Sequence, residues 1–149
     1  MNINYSQGRI GRVFILRLED GEKLPASIED FARRHRVKRG LCFLLGGLRS
    51  GGHLVVGPKD EKVRPVEPLF WELFGVHEVV AVGTIFPGQD KQPHLHLHGS
   101  AGREGRSHTG CFRPGVEVWQ VGEVVILEII GSRASRFRDE STGFELLKA

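Results

Sequence analysis

The chain has seven histidines, and three of them, His94, His96 and His98, alternate within PHLHLHG at residues 93 to 99. Successive side chains of an extended strand point to opposite faces, so a period of two sends all three imidazoles to one side. His96 and His98 would then lie roughly 7 Å apart at the backbone, a span two imidazoles can close on a shared ion. Two ligands do not make a site. Further donors follow in GREGRSHTGCF, where Glu104, His108 and Cys111 stand, with His94 in reserve on the strand itself. If the glycines of GSAGREG reverse the chain, a strand beginning near Ser107 would bring His108 or Cys111 back beside the pair. Zinc accepts any such mixture of imidazole and thiolate. The plainer alternative is a histidine strand that faces solvent or another subunit.

A second constellation is cationic. RRHRVKR, residues 33 to 39, holds Arg33, Arg34, Arg36, Lys38 and Arg39 around one histidine. It reads either as the solvated end of a helix, where cations complement the dipole, or as a contact for a phosphate backbone. RASRFR, residues 133 to 138, is a second basic patch with the same two readings. No aromatic residue interleaves the first run, so stacking on single-stranded bases is not expected. P-loop, nucleophile-elbow and dinucleotide-binding signatures are missing. Gly88, five residues, His94, one residue and His96 match the opening of a cupin metal motif. That motif then wants a glutamate where Ser100 and Ala101 stand, and an asparagine downstream that the chain lacks.

The elements that must position these groups are mostly strands. Apolar segments bounded by Gly or Pro recur at 9–18, 40–47, 53–57, 77–86, 93–99 and 122–130. FPGQDKQ is turn chemistry, and RSGG between two apolar runs predicts a hairpin. One helix is predicted where Ser27 can cap, Asp30 stands three residues on, and Ile28, Phe31 and Ala32 give an i, i+3, i+4 face. A second short helix is expected over 67–75, ended by Gly75.

The bulk numbers bound the rest. A length of 149 residues fits one domain over 1–149, with a core large enough to need no staples. An apolar share of 40%, a charged share of 26% and 20 glycines indicate a turn-rich globular sheet protein, not a disordered one. The net charge of +3 permits a polyanionic partner without demanding one. No apolar run approaches the roughly 20 residues that cross a bilayer, so no membrane partner is expected. The first residues carry neither a basic nor an apolar leader region, and a cytoplasmic protein is the expectation. Cys42 and Cys111 are then read as free thiols, Cys42 as a buried apolar residue.

The order of these segments resembles the PPC domain (plants and prokaryotes conserved). The likeness runs through GRVFILRLEDGEKLPASIEDFARRH, FWELFGVHEVVAVGTI, HLHLHGSAGREGRSHTGCF, VGEVVILEI and a closing RFRDESTGFELL, and so over nearly the whole chain. The resemblance implies an α+β fold of antiparallel sheets with a packed helix, assembling into a homotrimer. It implies zinc at an H-x-H strand, which maps onto His96 and His98. Where the family often has Gly-Gly-His, this chain reads Thr109-Gly110-Cys111, which makes Cys111 the third ligand, with His94 and His108 behind it. The family's plant members bind DNA through an appended AT-hook, and no such core occurs here. The expectation for this chain is therefore a zinc-binding homotrimer with weak, non-specific DNA contacts through Arg33, Arg34, Arg36, Lys38 and Arg39. The alternative is a metal-dependent enzyme, for which Glu104 is the nearby carboxylate; with no general base beside the histidines, the binding module is favoured.

Overall fold

The structure is a computed structural model that describes residues 3–149. The first two residues of the amino-terminal stretch behind the cytoplasmic expectation lie outside them. Eleven strands and one helix follow in order: β1 Arg9–Glu19, β2 Lys23–Leu24, α1 Ala26–Arg34, β3 Gly40–Leu48, β4 His53–Pro58, β5 Pro68–Glu72, β6 His77–Pro87, β7 Pro93–Arg103, β8 Arg106–Phe112, β9 Val116–Ile130, β10 Ser135–Arg138 and β11 Glu145–Lys148. One antiparallel sheet runs in the order β1-β9-β3-β6-β7-β8-β4-β5, with β2 paired to β9, and β10 and β11 form a separate hairpin. The antiparallel sheet with a packed helix agrees with the fold that the family resemblance implies.

The sheet's inner face is set by strict alternation. Leu95, Leu97 and Ala101 of β7, Val79, Ala81 and Ile85 of β6, Cys42 and Leu44 of β3 and Val124 and Ile126 of β9 all point into one core. Ile28 and Ala32 of α1 complete it, while Phe31 packs at its margin. The helix is seated on β7 partly through Glu29, whose Oε1 accepts the Leu95 N–H at 2.8 Å. At the helix's other end Arg12 donates to both carboxylate oxygens of the buried Glu128, each at 2.7 Å, and to the His35 carbonyl at 3.0 Å.

Three local expectations are corrected. The helix is capped at Pro25 without a side-chain bond, because Ser27 already lies in its first turn and donates to Glu22, while Asp30 pairs with Arg33. Residues 67–75 form no helix: Pro68–Glu72 is β5, paired to β4 with Trp71 opposite Leu54 and Phe70 opposite Val55. A segment this short cannot repay helix nucleation alone, and aromatic residues suit a strand whose partner is already present. Arg49-Ser50-Gly51-Gly52 links β3 to β4 as a turn, but it makes no hairpin. Both sides of β3 are taken by β9 and β6, so β4 leaves to pair with β8 and β5.

The β3–β9 ladder shifts register at Gly46 and Gly47. Gly46 has φ +144°, and a Cβ there would meet the Val121 carbonyl oxygen at 2.3 Å. Strain and overlap act together, so Gly46→Ala should cost about 3 kcal/mol or more. Urea unfolding reads this directly; an unchanged midpoint would mean that the ladder relaxes around the added methyl.

Candidate metal centre

Strands β6 and β7 form a hairpin closed by residues 88–92, and β7 and β8 form another closed by Glu104-Gly105. Both turn residues have positive φ, 52° and 72°, as a two-residue type I′ loop requires. That loop fixes the register. His98 sits directly opposite Cys111, and Ala101 opposite His108. Because 108 and 111 differ by an odd number, their side chains leave β8 on opposite faces. Cys111 therefore shares the outer face of the sheet with His96 and His98, and His108 does not.

The ligand atoms of His96, His98 and Cys111 all lie within 4.8 Å of one another. The two Nε2 atoms are 3.0 Å apart, one imidazole donating to the other, with ring planes at 84°. The remaining candidates are engaged elsewhere. His94 donates from Nε2 to Asp90 at 2.9 Å, holding the β6–β7 turn. His108 stacks on Trp71 with centroids 3.8 Å apart, in a cavity of about 510 Å³ that it shares with His77, Arg103 and Glu104. Glu104 pairs with Arg103 at 3.0 Å, so no carboxylate joins the trio among the described residues.

Burial lowers the pKa of His96 to about 4, helped by the charges of His98, Arg136 and Arg113. Burial, and then Arg113, lowers that of His98 as well. Both imidazoles are thus neutral near pH 7, the form that binds metal. Burial raises the Cys111 thiol, against the opposing pull of Arg113 and Arg136. The donor set fits zinc: tetrahedral bonds of ordinary length hold two nitrogens roughly 3.3 Å apart and a nitrogen and a sulfur roughly 3.6 Å apart, so small movements close the trio. The separation of charge also fits, since a dication would hold the thiolate that burial alone disfavours.

Arg113 and Arg136 were not singled out by their chemistry in the sequence. Arg136 lay within the basic patch 133–138, but it is a buried side chain, not a surface cation. Its Nη2 donates to Thr84 Oγ1 at 2.8 Å and to the Thr84 carbonyl at 3.3 Å, and Thr84 is the β6 neighbour of His96.

The family model described as Plants and Prokaryotes Conserved (PCC) domain matches residues 5–130. The chain belongs to this family. Over 134 residues it is 31% identical to the bifunctional protein GlmU of Synechococcus sp. (strain JA-3-3Ab); this covers 89% of the chain but only 20% of that much longer relative. Among solved structures, the metal-containing protein AF0104 of Archaeoglobus fulgidus superposes with a TM-score of 0.81 at 25% identity, over 98% of both chains. A plant- and prokaryote-conserved protein of Pyrococcus horikoshii gives 0.77 at 22% identity, over 99% of this chain and all of that one. A candidate DNA-binding protein of Ralstonia eutropha JMP134 gives 0.66 at 17%, over 91% and 90%. The PCC match ends at Ile130, so the β10–β11 hairpin that carries Arg136 lies beyond it.

Proposed function

We propose that this PCC domain is a zinc-binding protein whose ligands are His96, His98 and Cys111, assembled as a homotrimer. The observation that carries the metal reading is the meeting of two neutral imidazoles and a thiol on one face of two adjacent strands. The metal-containing relative from A. fulgidus supports it. Bound there, zinc would tie β7 to β8 and, with three protein ligands, keep a position for a further donor, as Lewis-acid centres do. The absence of a carboxylate from the trio favours a binding module over hydrolytic chemistry, which needs a base within reach of the activated water. Metal analysis of ligand variants is the test, set out in the Discussion.

The assembly reading rests on the same outer face. One cross-strand row runs Ile15, Val125, Phe43, Val82, His98, Cys111 from β1 to β8. A neighbouring row adds Leu45 and Val80, flanked by Glu123 and Ser100, and Ile15 is 84% exposed. An apolar sheet face of this extent is what subunit contact covers.

A second reading, weak DNA contact, is favoured by the cations in the last turn of α1 and just beyond it, and by the candidate DNA-binding relative from R. eutropha. The run is weaker than its composition suggests. Asp30 pairs with Arg33 at 2.6 Å and reaches Arg34 at 4.0 Å, and Arg39 donates to the Ala134 carbonyl at 2.6 Å. Arg36 and Lys38 have no carboxylate partner among the described residues. Binding to duplex DNA should accordingly be sequence-indifferent and fall steeply with salt. Charge reversal of Arg33, Arg34 and Arg36 together should abolish it in an electrophoretic shift at low salt; full retention by that variant would remove this surface from consideration.

A further inference from the structure

The buried Arg136 is not explained by the fold. It is 6% exposed, it comes from the small β10–β11 hairpin, and its Nε has no hydrogen-bond partner among the described residues. Among the described residues its guanidinium hydrogen-bonds to Thr84 alone, and its carbon lies 5.7 Å from the centroid of the Phe86 ring. No carboxylate lies within ion-pair distance among the described residues. The negative charges that reach it are those of Glu145 and of Cys111 as thiolate. A buried guanidinium with an unpaired donor carries a large desolvation cost, and native proteins ordinarily offset it with an anion.

Its position narrows what that anion is. Thr84, which holds Arg136, faces His96 across the β6–β7 ladder. Arg113 stands two residues past Cys111, one residue beyond the end of β8, and is exposed; its charge acts on both His98 and Cys111. Zinc on His96, His98 and Cys111 would bring two positive charges, of which one thiolate cancels half. Two guanidiniums beside such a centre leave an excess of positive charge that one carboxylate, Glu145, does not balance. A planar fork beside a cation with an open position suits an oxygen anion that accepts from both.

We propose that Arg136 and Arg113 form, against the His96, His98 and Cys111 centre, a subsite for a small oxyanion of the carboxylate or phosphate type. The ligand of this protein would then be a small anionic metabolite, held by the metal at one end of its anionic group and by Arg136 at the other. The subsite rests on the metal reading above, and the closing experiment separates the two.

The full chain, loaded with zinc and assayed for zinc content, is titrated by calorimetry with inorganic phosphate and, in a second arm, with acetate. At least one anion should bind; phosphate alone identifies a phosphate-bearing ligand, and acetate a carboxylate. Arg136→Gln should weaken that binding at least tenfold with zinc content unchanged, whereas Arg138→Gln, on the same hairpin, should not. Because Arg136 is buried, the exposed Arg113→Gln provides a variant with little folding risk, expected to weaken binding about threefold. Failure of both anions to bind zinc-loaded protein overturns the subsite, as does undiminished affinity in the folded Arg136 and Arg113 variants. If the wild-type chain takes up no zinc, the metal reading fails; the same titration on metal-free protein then decides the arginines alone, standing if binding depends on Arg136 and overturned if it does not.

Discussion

In a His96→Ala, His98→Ala double variant, zinc is expected to fall from about one ion per chain to near zero, as read by elemental analysis after exhaustive dialysis. Two of three donors are removed, and a lone thiolate does not hold the ion against bulk water. Single variants should lose affinity in steps, with Cys111→Ser retaining less than Cys111→His, since an alcohol is a poor zinc ligand and a third imidazole a good one. The replacement of either reserve histidine, His94→Ala or His108→Ala, should leave zinc content unchanged, because one is committed to Asp90 and the other to Trp71. Full zinc content in the double variant would defeat the assignment.

Acid should strip the metal in a direction that follows from the same environment. His96 is lowered to about 4, chiefly by burial, so its neutral form persists well below the pH at which a free imidazole protonates. The Cys111 thiol is raised, again chiefly by burial. At neutral pH zinc must therefore displace a proton from Cys111 and not from the histidines. Binding should release about one proton per ion, visible as a dependence of the calorimetric heat on buffer ionisation enthalpy.

The second large effect concerns assembly. Ile15→Glu with Leu45→Glu should convert a species with the mass of three chains into one with the mass of a single chain in sedimentation or light scattering. Both side chains lie on the outer face, at 84% and 53% exposure, away from the metal trio, so the core and the zinc content should survive. Burying two carboxylates at an apolar contact costs several kcal/mol each unless they are paired, which is enough to dissociate an interface of ordinary size. A wild-type chain that already sediments as one would end the trimer reading, and the outer face would then need another cover.

The sequence by itself determined the features that depend on neighbours along the chain. The alternation at His94, His96 and His98 is a local pattern, and the β7 strand keeps it on one face; the i, i+3, i+4 set Ile28, Phe31 and Ala32 likewise fixed α1. The length of β7 and the position of its turn were less legible, since Gly99 to Arg103 read as turn residues yet continue the strand. Only the tertiary structure decided which partner comes back to the histidines. A register shift of one residue in β8 would have exchanged Cys111 for the opposite face, and nothing in the local sequence distinguishes the two; the two-residue loop at Glu104 and Gly105 does. The same holds for Pro68–Glu72, whose state was set by β4 as a waiting partner, and for Arg136, which reads as one more surface cation until the chain brings it across to Thr84. Contacts between strands distant in sequence carry no signature within either strand, because the energy that selects them comes from surface buried jointly and from hydrogen bonds shared across the ladder.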